Sequence, residues 1–178
     1  MGMRMFASFD EFVEERSTAL LRTAFLLTGD RGHAEDLLQT TLLRTLRRWS
    51  RAHTAPEAYA RRVLVNLSKD RLRARDRRVR ETAMPPDATA LPTVDAGYDQ
   101  VADRRVVLDA LAELPLRQRQ VVVLRFVEDL SVDQTADLLS CSSGTVKSQT
   151  SRALTKLREL LADFHGSQNT KETTDVRR

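Results

Sequence analysis

SVDQTADLLSCSSGTVKSQTSRALTKLRELL, residues 131–161, holds two helix starts separated by one tight corner. Ser131 is placed to cap the first helix, and Gln134 three residues later completes a capping box. Val132, Ala136 and Leu139 then recur at helical spacing. Ser140-Cys141-Ser142 interrupts this helix after about two turns, which suits a corner between two helices. Ser142 is placed to cap a second helix running to about Leu161, with Val146, Ala153, Leu157 and Leu160 on its inner stripe. Its other face carries Thr145, Lys147, Ser148, Ser151 and Arg152. A helix-turn-helix whose second helix is polar and basic near its N-terminus presents such side chains where base edges are met. An ordinary helical hairpin with a solvated outer face would carry the same apolar stripe, so the rest of the chain must separate the two.

Composition narrows the choice. The chain has 178 residues, enough for one large domain or two small ones. It is 41% hydrophobic but only 5% aromatic, so its core must be aliphatic, and 6 glycines favour helices over sheets. The net charge of +4 is modest, whereas its distribution is not. Residues 1–38 sum to −3, while residues 44–80 set thirteen basic residues against Glu57, Asp70 and Asp76, a net of +10. An acidic flank followed by a concentrated basic segment points to a polyanionic partner. One cysteine, Cys141, excludes an internal disulfide and a cysteine-rich zinc site. At the corner it serves as a small apolar filler. No stretch reaches the roughly 18 apolar residues of a membrane span and no signal-peptide pattern opens the chain, so the expected location is cytoplasmic, without membrane insertion.

Taken in order, Met1, Met3 and Met5 leave the translation start open. Phe9, Phe12, Val13, Leu20, Ala24 and Leu27 lie at helical spacing, with acidic residues early, where the helix dipole favours them. Gly29 is a C-cap. A second helix is expected over 31–48, turning Ala34, Leu37, Leu38, Thr41, Leu42, Thr45 and Trp49 inward, with Trp49 a core anchor rather than a base-stacking platform. Residues 50–56, SRAHTAP, are expected to form a loop, with Pro56 suited to lead into a third helix from about Glu57 to Arg80. That helix has a thin apolar stripe of Ala60, Val63, Leu64, Leu67 and Leu72 in a crowd of arginines. Solvated faces normally mix signs; this one needs phosphates to neutralise it. Residues 82–102 contain three of the five prolines, no lysine or arginine, and no periodicity, the mark of a flexible linker. At about 3.3 Å per residue it could span on the order of 60 Å, similar to two DNA sites about 17 base pairs apart. Two more helices are expected at about 103–113 and 116–127, broken at Leu114-Pro115. Val106, Val107, Leu108, Leu111, Val121, Val122, Leu124 and Phe126 are their core candidates. Residues 165–178 are polar and read as a disordered tail.

The fold class is therefore all-α: two small helical domains, 6–81 and 103–164, joined by a linker at 82–102. The motifs HAEDLLQTTLLRTLRRW and AYARRVLVNLSKDRLRARDRR resemble region 2 of bacterial RNA polymerase sigma factors of the extracytoplasmic-function type. LAELPLRQRQVVVLRFVEDLSVDQTADLLSCSSGTVKSQTSRALTKLREL resembles region 4. The two cover roughly three-quarters of the chain in family order. Region 4 alone is only moderately specific, because other helix-turn-helix proteins share much of it; the region 2 match supplies the specificity.

The resemblance implies roles. Glu35, Asp36, Leu38, Gln39, Leu42 and Arg44 match the surface that grips the β′ clamp helices of core polymerase. His53 and Thr54 fall in the loop that captures a flipped base of the melted −10 element. Tyr59, Arg61, Arg62, Asn66, Lys69 and Arg73 match contacts to the −10 duplex and its opened edge, although Tyr59 has an equally good reading as a helix-packing residue. Thr145, Lys147, Ser148, Ser151 and Arg152 match readers of the double-stranded −35 element. Arg117, Arg119 and Gln120 are assigned to DNA backbone contacts or to the β flap. Family members are often held by an anti-sigma factor, a contact that no residue here spells out. Two departures stand out: Ser140 replaces a common glycine, which implies either backbone strain at the corner or a slightly different turn, and Gln149 replaces a common arginine, which removes one phosphate or guanine contact.

Catalysis is not indicated. His33, His53 and His165 are scattered, and no nucleophile setting, phosphate loop, metal spacing or cofactor motif appears. A dimeric helix-turn-helix regulator acting without polymerase is the alternative, and a helical interaction protein a third. Neither has work for the +10 segment and the acidic flank together.

Overall fold

The computed structural model describes residues 6–79 and 98–175, with side chains described for 6–69 and 105–162. Every regular element among the described residues is helical. The chain divides into two compact units, the first holding helices α1 to α4 and the second α5, α6, most of α7, and α8.

In the first unit, α1 spans Phe9–Thr28. Ser8 caps the helix by accepting the Glu11 N–H at 3.2 Å, and the Glu11 carboxylate accepts the Ala7 N–H at 2.6 Å, which fixes the chain just before the cap. The helix stops at Gly29, whose φ of 73° lies in the left-handed region and whose N–H reaches the Phe25 oxygen at 2.7 Å. Asp30 then caps α2, Arg31–Arg47, by accepting the His33 N–H at 2.7 Å.

The expected loop at 50–56 is shorter than the sequence suggests. A single helical turn, α3, occupies Trp49–Ala52, because Arg51 and Ala52 both donate to the Arg48 carbonyl and Ala52 is buried. Trp49 meets Phe9 edge-on at 5.5 Å and lies 5.8 Å from Phe12, which Phe6 meets edge-on at 5.2 Å. The tryptophan is thus a packing anchor. Helix α4, Pro56–Val79, buries Ala60, Leu64, Val65 and Ser68; Val63 and Leu67 are half-buried, and Leu72 lies outside the residues whose side chains are described. The core also holds Thr28, Thr45 and Ser68, each of which donates back to a carbonyl of its own helix: Ala24 at 2.9 Å, Thr41 at 2.8 Å and Val65 at 2.8 Å.

In the second unit, α5 runs Tyr98–Ala112, starting five residues before the expected Asp103. Pro115 opens α6, Leu116–Val122, which widens into a π-turn over Val123–Val127, where the Glu128 N–H reaches back five residues to Val123 at 3.0 Å. The extra residue in that turn rotates the side chains beyond it about the helix axis. Phe126, one α-turn past buried Val122, therefore swings outward and is 56% exposed; Val107, beside buried Val106, is 46% exposed. Both were core candidates, and the core instead takes Ala110, Leu114 and Val123. Helix α7, Val132–Leu139, and α8, Ser143–Asp175, complete the unit. The capping box is present as expected: Ser131 N–H donates to Gln134 at 2.8 Å and Gln134 N–H to the Ser131 hydroxyl at 3.1 Å. α8 runs on to Asp175, past the expected end at Leu161 and through residues 165–175 of the expected tail, since extending an established helix avoids the cost of nucleating one. Residues 176–178 and most of the expected linker lie outside the described residues.

Candidate nucleic-acid interface

The corner between α7 and α8 is closed by backbone. Cys141 N–H donates to the Ala136 carbonyl at 3.0 Å, and Ser140 sits at φ 53°. Ser142 then caps α8, accepting the Thr145 N–H at 3.1 Å and sharing a 2.9 Å hydrogen bond with the Thr145 hydroxyl. Ser143 donates to the Asp133 carboxylate at 2.5 Å, tying the start of α8 to α7. Val146 and Ala153 are fully buried, which fixes the rotation of α8. Thr145, Lys147, Ser148, Ser151 and Arg152 consequently all stand exposed on one side. Ser148 donates to the Thr145 carbonyl at 3.0 Å and keeps its lone pairs for an incoming donor. Lys147, Ser151 and Arg152 make no hydrogen bond or ion pair among the described residues, so their polar ends are open to solvent.

In the first unit the predicted residues fall into rows. Tyr59, Arg62, Asn66 and Lys69 repeat at helical spacing along α4; Arg62 and Asn66 are exposed, Tyr59 and Lys69 half-buried. Arg73 continues that row, but its side chain lies outside the described residues. His53 and Thr54 are exposed between α3 and α4. Arg61 is placed differently. It pairs with Glu57 at 3.3 Å, and Arg16 of α1 meets the same carboxylate at 3.3 Å while lying over the Phe6 ring. Arg16 thereby ties α1 to α4 through Glu57, while Arg61, its side chain 14% exposed, holds the same carboxylate from within α4.

The α2 residues also split. Glu35, Leu38 and Leu42 form a half-buried row, with Glu35 tied to Arg31 at 2.9 Å. Asp36 and Gln39 form an exposed row, and Arg44 is exposed beyond it. The exposed row continues through Leu43, 57% exposed, and Leu46, 48% exposed, which sequence reasoning missed. Their signal was present: two leucines off the inner stripe of an otherwise regular helix.

Arg119 and Gln120 correct an expectation. They are 7% and 0% exposed, so neither reaches DNA or a partner. Arg119 instead turns its guanidinium onto the carbonyls of Ala112 and Leu114 at the end of α5. Arg117 remains exposed. Among the described residues no helix is long and apolar enough to cross a membrane, and no cluster of metal-ligating side chains forms.

The sigma-70 region 2 family matches residues 12–78, and sigma-70 region 4 matches residues 104–157. The chain is 44% identical over 155 residues to the RNA polymerase sigma-E factor of Streptomyces avermitilis, covering 86% of this chain and 84% of that one. It is 43% identical over 155 residues to the protein of the same name from Streptomyces coelicolor, covering 86% and 85%. Among solved structures it resembles the sigma factor RpoE of Bartonella quintana, determined in complex with the anti-sigma factor NepR. That match has a TM-score of 0.72 and 26% identity, covering 86% of this chain and 96% of the other. With both regions matched in order and relatives this similar along most of their length, the chain belongs to the sigma-70 family, as an RNA polymerase sigma factor of the extracytoplasmic-function type.

Proposed function

We infer that this chain binds core RNA polymerase and directs transcription initiation at promoters carrying its −10 and −35 elements. The observation that carries the reading is the pairing of region 2 and region 4 on one chain, 12–78 and 104–157. A dimeric regulator using region 4 alone would leave the first of these without work.

Residue roles rest on exposure and chemistry. Lys147, Ser148, Ser151 and Arg152 read −35 base edges from the major groove, with Thr145 at a phosphate by the helix start. Tyr59, Arg62, Asn66, Lys69 and Arg73 line the −10 contact; His53 and Thr54 face the flipped base, whose unstacking costs a few kcal/mol that phosphate contacts must offset. Arg61 acts from behind, through Glu57. On α2, Asp36, Gln39 and Arg44 supply polar partners around an apolar centre of Leu43 and Leu46, with Glu35, Leu38 and Leu42 at its edge, for a helical surface of the polymerase β′ subunit. Arg117, exposed on α6, is assigned to the β flap. The chain works in the cytoplasm as a regulatory subunit, and the polymerase does the chemistry. An anti-sigma factor is a further partner, supported by the likeness to a sigma factor solved with one.

The test is reconstitution. Purified protein added to sigma-free bacterial core polymerase should start transcription at discrete promoters. No association with core, or association without promoter-specific starts, would remove this reading.

A further inference from the structure

Helix α5 ends with no basic residue in its last turn, although its final carbonyls carry the negative end of the helix dipole. The cations arrive from two other helices. Arg119 of α6 donates to the carbonyls of Ala112 and Leu114, and Lys156 of α8 donates from Nζ to the Glu113 carbonyl between them at 2.8 Å. One helix end is thereby shared by α6 and α8. Lys156 lies one turn past Arg152 and two past Ser148, on the same row as the proposed base readers. By position it would extend the row toward a phosphate; its ammonium is bound to protein instead.

We propose that Lys156 is a positioning residue for −35 reading: its bond to Glu113 sets the tilt at which α8 presents Lys147, Ser148, Ser151 and Arg152. This rests on the promoter-reading function above. The lever is long enough to matter. Lys147 lies nine residues from Lys156, roughly 14 Å along the axis, so a tilt of about 5° moves it by about 1 Å, enough to break a hydrogen bond.

The experiment uses holoenzyme assembled from core polymerase and the full chain. The wild type must first initiate at a −35-dependent promoter; if it does not, the function itself fails and Lys156 is not at issue. Lys156→Met keeps the aliphatic stem and loses the donor, while Lys156→Arg keeps a donor. Lys156→Met should weaken binding to the −35-dependent promoter about 3- to 10-fold, the scale of one lost hydrogen bond in a working interface. It should leave initiation unchanged on a template with a pre-melted −10 element and no −35 element. The slope of log affinity against log salt should stay at the wild-type value, and Lys156→Arg should restore binding. A slope shallower by about one marks a direct phosphate contact and overturns the proposal. So does unchanged promoter binding, an equal loss on the −35-free template, or failure of Lys156→Arg to restore.

Discussion

Ser140 holds a left-handed φ of 53° at the corner between α7 and α8. Its side chain is exposed and makes no contact that would repay the strain. A residue with a Cβ costs roughly 1–2 kcal/mol in this region, and glycine does not, although glycine loses more chain entropy on folding, about 0.5–1 kcal/mol. Ser140→Gly should therefore stabilise the second unit by on the order of 0.5–1 kcal/mol, read as a rise of a few degrees in its melting temperature. An unchanged or lower melting temperature would show that the corner bears no strain. Arg152 carries the opposite kind of prediction, one about recognition. It is exposed and unpaired among the described residues, so truncation removes no internal contact. Arg152→Ala should leave thermal stability within about 0.5 kcal/mol. It should weaken the cognate −35 sequence by roughly 1–3 kcal/mol and flatten preference at one base position. Competition binding across single-base −35 variants checks it. Equal loss on every variant would make Arg152 a phosphate contact instead.

Among the elements, α8 depends most on its start. Ser142 accepts the Thr145 N–H and also holds the Thr145 hydroxyl, so a single cap orders the first exposed residue of the reading row. Ser142→Ala should cost about 1 kcal/mol of stability, measured by urea unfolding. It should also weaken −35 binding beyond that loss, because Thr145 is freed to rotate. Ser143→Ala, which cuts the Asp133 tie alone, should leave the Thr145 arrangement intact. Both serine caps of the helix-turn-helix and the glycine stop of α1 were legible in the sequence, because each depends on a side chain or backbone within a few residues of its partner. Trp49 as an anchor was legible because it continues the apolar spacing of the α2 sequence, although it opens α3. The parts that were not legible all depend on distant neighbours. The single turn α3 comes from burying Ala52, and the π-turn re-aims Phe126 without changing the apolar count. Arg119 looked like a surface arginine until the end of α5 required its donors. Arg61 likewise matched the family's DNA-facing pattern; its pairing with Glu57 is local to α4, and what the sequence does not show is Arg16 of α1 arriving at the same carboxylate from across the unit.

For the whole molecule, affinity has to come from joining weak parts. Each unit carries one short exposed row of proposed DNA contacts, and the sequence between α4 and α5 has no apolar periodicity from which to build a larger one. Two modest sites held together by a third body gain through effective concentration, by a factor on the order of 10² to 10⁴ over either alone. The isolated chain should accordingly bind promoter DNA weakly and lose affinity steeply as salt rises, whereas core polymerase should raise its apparent affinity by at least about 100-fold. On the proposed reading the body that joins the sites grips α2, where Leu43 and Leu46 lie bare beside Asp36 and Gln39. Leu43→Asp puts a carboxylate on that exposed row, where it disturbs no core packing. The melting temperature and the weak DNA binding of the free chain should therefore stay as they are. Gel filtration with core polymerase should show association reduced by about tenfold or more, and promoter-specific transcription should fall with it, because the joining body has let go while both DNA readers remain whole. If Leu43→Asp left core binding unchanged, this row would face solvent in the holoenzyme, and the grip would have to come from the half-buried row of Glu35, Leu38 and Leu42.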